Sequence, residues 1–204
     1  MSKGLFSFND VDGEVARVKV ESFAEIDTIE DAVTILSGEK DTVSSLLPLP
    51  LLPNVLYSCL SNGMWDHYHL VDHILKQTGE GSEIHLATWS ISELSARQLV
   101  DWIAKGRVSK VQGVLDYRSK NRHPAAFHLA KNIFSDIKID YCHAKVTVIR
   151  SADHSHNICI CGSANWTQNP RKEACTILNS KKISDTHIQW ISQVIKKGKY
   201  GLDD

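Results

Sequence analysis

Tyr141-Cys-His-Ala-Lys-Val-Thr-Val-Ile-Arg150 and, beyond the polar segment Ser151-Ala-Asp-His-Ser-His-Asn157, Ile158-Cys-Ile-Cys-Gly-Ser-Ala-Asn-Trp166 are the two runs that decide the fold. Both alternate apolar with polar or small side chains and are rich in β-branched residues, which predicts two strands joined by a turn. If they pair antiparallel with the turn near His154, opposite residue numbers sum to 308, so His143 faces Asn165 and Lys145 faces Ser163. Side chains two apart on a strand share a face. An imidazole, an ammonium, a hydroxyl and a carboxamide then gather on one surface, a set suited to phosphate. The imidazole attacks phosphorus or carries a proton near neutral pH, the lysine supplies compact positive charge, and Ser163 and Asn165 supply neutral hydrogen bonds. Gly162 is expected to allow backbone to approach the ligand closely. The plainer alternative is an ordinary hairpin with polar residues on its wet face.

Working outward, strands and helices alternate. Trp65 to Gln77 has helical apolar spacing and is stopped by Gly79 and Gly81. Glu83 to Ile91 reads as a strand, Ser92 to Lys105 as a helix capped by Ser92, and Val108 to Tyr117 as the next strand. Pro124 to Phe134 opens with proline at its first turn, as helices tolerate, and Ile137 to Ile149 leads back to the opening motif. Glu173 to Asn179 completes the strands and Ser184 to Lys197 is a closing amphipathic helix. The order implies βαβ units and an α/β fold whose mixed sheet is mostly parallel, with helices on both faces.

Loops after the strands of such a sheet line its crevice. Trp89, near the end of one strand, either stacks on a base or packs into the protein, with packing preferred. Arg118, Lys120, Arg122 and His123 lie within six residues after the next strand and read as a basic loop that grasps a phosphate backbone. His69 and His73 stand one turn apart on the Trp65–Gln77 helix, and an exposed or half-buried face is preferred there over a metal site.

The motif residues resemble the phospholipase D superfamily, whose signature joins His-x-Lys to a later Gly-Ser-x-Asn. The matching positions are His143, Lys145, Gly162, Ser163 and Asn165, continued by Thr167, Asn169, Pro170, Arg171 and Glu173 in the manner of nuclease-like members. Where the signature has aspartate this chain has Arg150, and the segment between the half-motifs is about five residues longer, with Asp153 inside it as a substitute. The resemblance implies a phosphohistidine mechanism with His143 as nucleophile, and a carboxylate near Glu173 that orients the imidazole. Arg171 either binds substrate or pairs with Glu173. Such enzymes use two facing motifs. Residues 1 to 140 contain no second copy, so a homodimer joining two half-sites across its axis is expected.

The 204 residues are 42% hydrophobic, enough for one substantial core. The net charge of −1 conceals an asymmetry: residues 1 to 50 hold ten acidic and four basic side chains, and the remainder fourteen acidic and nineteen basic. Three parts are expected: an acidic appendage over 1–43, a proline-rich apolar strap over 44–53, and a phospholipase D-like catalytic domain over 54–204. Within the appendage a small hairpin is expected over 5–21 and a helix from Ile26 to Leu36. The strap, Leu46-Leu-Pro-Leu-Pro-Leu-Leu-Pro53, is held extended by its prolines. Its interleaved leucines favour burial over display.

Five cysteines in odd number, with no Cys-x-x-Cys pair, point to reduced thiols. Cys159 and Cys161 with His154 and His156 fit no zinc spacing, so neither metal nor other cofactor is expected. No apolar stretch approaches membrane-spanning length, and a cytoplasmic location is the expectation. The functional expectation is a metal-independent phosphodiesterase, an endonuclease acting on nucleic acid, with DNA favoured over RNA. Phospholipid cleavage and a catalytically idle binding module remain as alternatives.

Overall fold

The computed structural model describes residues 33–36, 43–61, 63–168 and 170–197. The hairpin expected over 5–21, and residues 26–32 of the expected first helix, lie outside them. The final four residues of that helix are instead β1 (Val33–Leu36), parallel to β2 (Leu56–Ser61). Val33, Thr34 and Ile35 are β-branched, and their stiffness at χ1 favours a strand once a neighbour offers pairing.

A single eight-stranded sheet organises the described chain. Its remaining strands are β3 (Ser82–Thr88), β4 (Val108–Asp116), β5 (Asp136–Asp140), β6 (Val146–Arg150), β7 (Asn157–Gly162) and β8 (Glu173–Asn179). Their order is β1-β2-β8-β7-β6-β3-β4-β5. The α/β class and the mixed sheet agree with expectation, but the balance of directions does not. Three pairings are parallel (β1 with β2, β3 with β4, β4 with β5) and four are antiparallel. Connection length explains the difference. Parallel neighbours need a crossover, supplied here by the helices after β3 and β4, whereas β6, β7 and β8 are joined by loops too short for one.

The helices are α1 (Val43–Leu46), α2 (His67–Thr78), α3 (Glu93–Ala104), α4 (Ser119–Arg122), α5 (Pro124–Ile133) and α6 (Lys181–Lys197). Helices cover both faces. Ile149, Ile158 and Ile160 join α2, α3 and α5 in the main core, while Val146, Val148 and Cys159, alternating with them, pack beneath Ile188 of α6. Central strands buried on both sides read as continuous apolar runs, and β6 is one. Ser92 caps α3 as expected, its side chain accepting from the Ser95 N–H at 3.2 Å.

The proline-rich strap is buried through Leu46, Leu47 and Leu51, whereas Leu52 and the three prolines are exposed, and its first residues, 44–46, belong to α1 instead of an extended run. Each buried leucine contributes roughly 1.5–3 kcal/mol of gross apolar burial. Prolines deprive the strap of ladder bonds, so side chains replace them. Gln77 accepts from the Leu51 N–H at 2.6 Å and donates to its carbonyl at 3.1 Å, and Asn179 Nδ2 donates to the same carbonyl at 3.0 Å. His73 bonds the Leu47 carbonyl at 2.9 Å, while His69 Nδ1 accepts from the Asp66 N–H at 3.0 Å. The two imidazoles thus serve separate structural partners. Through the bridge between Pro53 and Asn179 the strap reaches the end of the sheet where β8 finishes.

Arg150 occupies the position where the resemblance expects aspartate, and it works on the architecture. Its guanidinium donates to Asn157 Oδ1 at 2.9 Å and pairs with Asp185, fixing the start of α6. Asp153 stays in the β6–β7 turn, accepting from Ser151 Oγ at 2.7 Å and from the Ser155 N–H at 3.0 Å. These bonds hold its carboxyl far below the usual range.

Candidate active site

Strand directions bring the chemically interesting loops to one edge. The C-terminal ends of β3, β4, β5 and β7 and the N-terminal ends of β6 and β8 all open there. His143 and Lys145 lie in the approach to β6, Ser163 and Asn165 just after β7, and Glu173 at the start of β8. Trp89 follows β3, and Arg118, Lys120 and Arg122 follow β4. Arg171 is exposed in the segment entering β8, and Asn169 lies outside the described residues. The opposite end of the sheet holds the strap.

The register differs by one from expectation. Val146 pairs with Cys161 and Arg150 with Asn157, so opposite numbers sum to 307 rather than 308. The regular strand also starts later, at Val146, although the Lys145 carbonyl still accepts from the Gly162 N–H at 3.1 Å. The motif side chains therefore sit on irregular backbone at the strand ends, not on a flat hairpin face. The turn sets this: the Ser151 N–H donates to the His156 carbonyl at 3.0 Å, and His154 takes a left-handed conformation with φ of 61°. Gly162 also has a different reason from the expected one. A Cβ there would collide with the Ala174 carbonyl and meet Cys175 Cβ at 2.8 Å, so the close approach is to β8.

His143 is exposed, its ring centred 5.9 Å from that of Trp89. Lys145 Nζ lies 3.5 Å from His143 Nδ1 and donates to the His143 carbonyl at 2.9 Å. Burial lowers the lysine pKa, an effect opposed by the charges of Cys142, Glu173 and Asp116. Ser163 Oγ donates to Glu173, and the Ala174 N–H donates back to Ser163 Oγ at 3.1 Å. Asn165 Oδ1 is 3.4 Å from Thr88 Oγ1. One imidazole, one ammonium, a hydroxyl paired with a carboxylate and a carboxamide thus surround one edge of the sheet.

Beside them stands a stacked cationic group. The Arg122 guanidinium lies 4.5 Å from the Trp89 ring centre and that of Arg118 5.3 Å from it. The two arginines are not equivalent. Arg118 Nε donates to Asp116 at 2.7 Å, so its charge is offset locally, whereas exposed Arg122 extends from α4 over the indole. Trp89 is half-buried, so it both packs and presents a face.

Several supporting residues were not identified from sequence. Asp116 is buried, and it accepts from the N–H groups of Arg118 and Cys142, both at 3.2 Å. Burial raises its pKa, but the Arg118 side chain and these N–H groups outweigh it, so the carboxyl lies below its ordinary value. Asp116 thereby ties the basic loop to the residue before His143. Its place at a strand end, opening the basic loop, was the available signal. Trp166, fully buried, donates from Nε1 to Thr147 Oγ1 at 3.0 Å, and His67 Nε2 meets the same oxygen at 2.9 Å. This network lies behind Asn165, and His67, Asn165 and Glu173 border a small pocket there.

Burial drives the His67 pKa from 6.5 down to about 4. Its folded value lies below the unfolded one, so the stability it contributes is complete above pH 6.5 and is lost as pH falls toward 4. At about 1.4 kcal/mol per pH unit the loss approaches roughly 3 kcal/mol. Urea denaturation across this range is expected to show that decline, and His67→Gln to flatten it. An equal slope in the variant would place the titration elsewhere.

Among the described residues, no helix is long and apolar enough to cross a membrane. One cluster with metal-ligating donors is present among them, Cys159, Cys161 and His187. The histidine beside the thiols therefore comes from α6; His154 and His156 belong to the β6–β7 turn, where His156 Nδ1 meets Gln77 Nε2 at 3.3 Å.

No protein-family model matches the chain, and no curated protein does. Among solved structures it is similar to the polyphosphate kinase of Porphyromonas gingivalis, with 16% identity over 72% of this chain and 27% of that one and a TM-score of 0.49. It is also similar to a mutant of the yeast tyrosyl-DNA phosphodiesterase, with 13% identity over 50% of this chain and 27% of that one and a TM-score of 0.31. The chain spans about a quarter of the length of each.

Proposed function

We propose that the protein is a metal-independent phosphodiesterase that cleaves nucleic acid, DNA in preference to RNA, as a homodimer. The observation that carries this is the convergence of His143, Lys145, Ser163, Asn165 and Glu173 at one sheet edge, beside the Trp89–Arg122 stack. His143 attacks the phosphodiester, forming a P–N bond as the P–O bond to the leaving group breaks. The His143 of a second copy protonates that leaving oxygen. It then takes a proton from water, whose oxygen attacks phosphorus and breaks the P–N bond. Lys145 and Asn165 stabilise the charge on the non-bridging oxygens. Glu173 holds Ser163 in place and orients the imidazole. Lys120 and Arg171 extend the positive lining.

The strap bears on the lipid alternative. It was the one stretch suited to an apolar rim around the site, and it is tied to the opposite end of the sheet. Stacking of arginine on indole offers both charge and a π-face, which suits a nucleotide.

Purified protein incubated with plasmid, single-stranded DNA, RNA and phospholipid vesicles, each with and without chelator, tests the proposal. Cleavage of nucleic acid that survives brief chelation is expected. Hydrolysis of vesicles alone, or loss of cleavage in chelator that a divalent ion restores while the protein stays folded throughout, would overturn it. Arg122→Ala is expected to weaken binding and reduce the salt slope of log K by about 0.7–0.9, as for one phosphate contact. Arg118→Ala should do less, because Asp116 already offsets that charge. An unchanged slope in both variants removes these arginines from the phosphate contacts.

A further inference from the structure

Two thiols and an imidazole meet on the sheet face covered by α6. Cys159 and Cys161 are two apart on β7 and so share that face, and His187 reaches them from the helix. Cys161 Sγ lies 3.6 Å from Cys159 Sγ and 3.6 Å from His187 Nε2, and all three donor atoms fall within 4.8 Å of one another. A tetrahedral zinc ion, with bonds of about 2.3 Å to sulfur and 2.05 Å to nitrogen, sets S···S near ~3.8 Å and S···N near ~3.6 Å. Trigonal coordination at the same bond length would spread the sulfurs to about 4.0 Å. The two separations from Cys161 Sγ lie within about 0.2 Å of the tetrahedral values, and the third pair is within 4.8 Å.

The surroundings fit as well. Val146, Val148, Ala144 and Ile188 pack around the thiols and provide an apolar shell. Cys161 and His187 remain partly exposed, which gives an ion access from solvent. The helix has use for such a tie. Of the 17 residues of α6 only Ser184 and Ile191 are fully buried, and its start is held by the Arg150–Asp185 pair. A second thiol pair gives an internal contrast: Cys59 and Cys175 are cross-strand partners in the β2–β8 pairing, without a place in any metal-ligating group among the described residues.

We propose that Cys159, Cys161 and His187 bind one zinc(II) ion that fastens α6 to β7, with the fourth position taken by water or a small exogenous ligand. Binding to the folded chain alone stabilises it by mass action. The ion stands on the α6 face of β7, where Ala144, between His143 and Lys145, borders the thiols. Its removal is expected to lower the melting temperature.

The full chain, reduced and stripped of metal, would be titrated with zinc against a chromophoric chelator and separately with cobalt(II). One equivalent per chain and sulfur-to-cobalt charge-transfer absorption are expected. Cys161→Ser and His187→Gln should each weaken binding at least about a hundredfold, whereas Cys59→Ser should bind as the parent does. Circular dichroism checks that each variant folds, and His187→Gln, at a partly exposed position, remains informative if the cysteine variant does not. Absence of the charge-transfer band, binding that survives His187→Gln, or a Cys159–Cys161 disulfide in protein kept reduced would overturn the proposal. None of these outcomes depends on phosphodiester cleavage.

Discussion

His143→Ala is expected to reduce phosphodiester turnover by on the order of 10⁴- to 10⁶-fold, the scale seen when a nucleophile acting within a catalytic unit is removed. The fold should be indifferent to the change. His143 is exposed and lies outside the regular strand, so truncation falls among surface substitutions worth about 0.5 kcal/mol or less. Sedimentation and melting of the variant should therefore match the parent while kcat collapses. Mixed dimers make the test sharper. If nucleophile and proton carrier come from two copies, a dimer with one alanine lacks one of them. Equal mixing of exchanged chains then leaves about a quarter of the activity, the fraction of fully parental dimers, instead of the half expected from independent sites. Half activity, or a monomer with full turnover, would remove the two-copy mechanism.

Which loops share an edge of the sheet was more legible than the backbone geometry there. His143, Lys145, Ser163, Asn165 and Glu173 stand out by residue type and spacing, and alternating strand directions bring their loops to one edge. The register was one residue out because it depends on the left-handed His154 turn, and pairing arithmetic alone does not contain that conformation. Strands with strong alternation were found, but Leu56–Ser61, which carries three polar or thiol side chains in six residues, was missed. The apolar spacing of Val33–Leu36 continues a helical period. The segment's β-branched content pointed the other way, and pairing with β2 decided the matter. Arg150 shows a different limit. A residue type at odds with the motif points to the candidate site, while its partners Asn157 and Asp185 lie at the start of β7 and in α6. The supporting roles of Asp116, Thr147 and Trp166 were not legible, since each rests on a contact distant in sequence, Asp116 with the Cys142 N–H and Trp166 with Thr147.

That supporting layer predicts the second large effect. Trp166→Ala is expected to destabilise the fold by about 3–5 kcal/mol through lost burial and the cavity left behind. Trp166 is 1% exposed, its ring centre is 5.2 Å from that of His67 and 6.5 Å from that of Trp102, and Nε1 donates to Thr147 Oγ1 at 3.0 Å. Its backbone is engaged too: the carbonyl accepts from the Ser92 N–H at 2.7 Å and the N–H reaches Thr88 Oγ1 at 3.3 Å. Those backbone bonds survive the substitution, so the segment should relax around the cavity without detaching. Against a domain stability of about 5–15 kcal/mol, a loss of this size moves the denaturation midpoint far enough to be unmistakable. Trp166→Phe separates the two contributions. It retains most of the apolar volume and removes the N–H, costing about 1–2 kcal/mol, the net value of one buried hydrogen bond with some unfilled space. Because Asn165 precedes the tryptophan directly, Trp166→Ala should also lower turnover under conditions where the variant is still folded, and Trp166→Phe should do so less. A destabilisation of Trp166→Ala below about 1 kcal/mol in urea would mean that the indole is not held in the core, and the placement of Asn165 beside Thr88 would lose its physical basis.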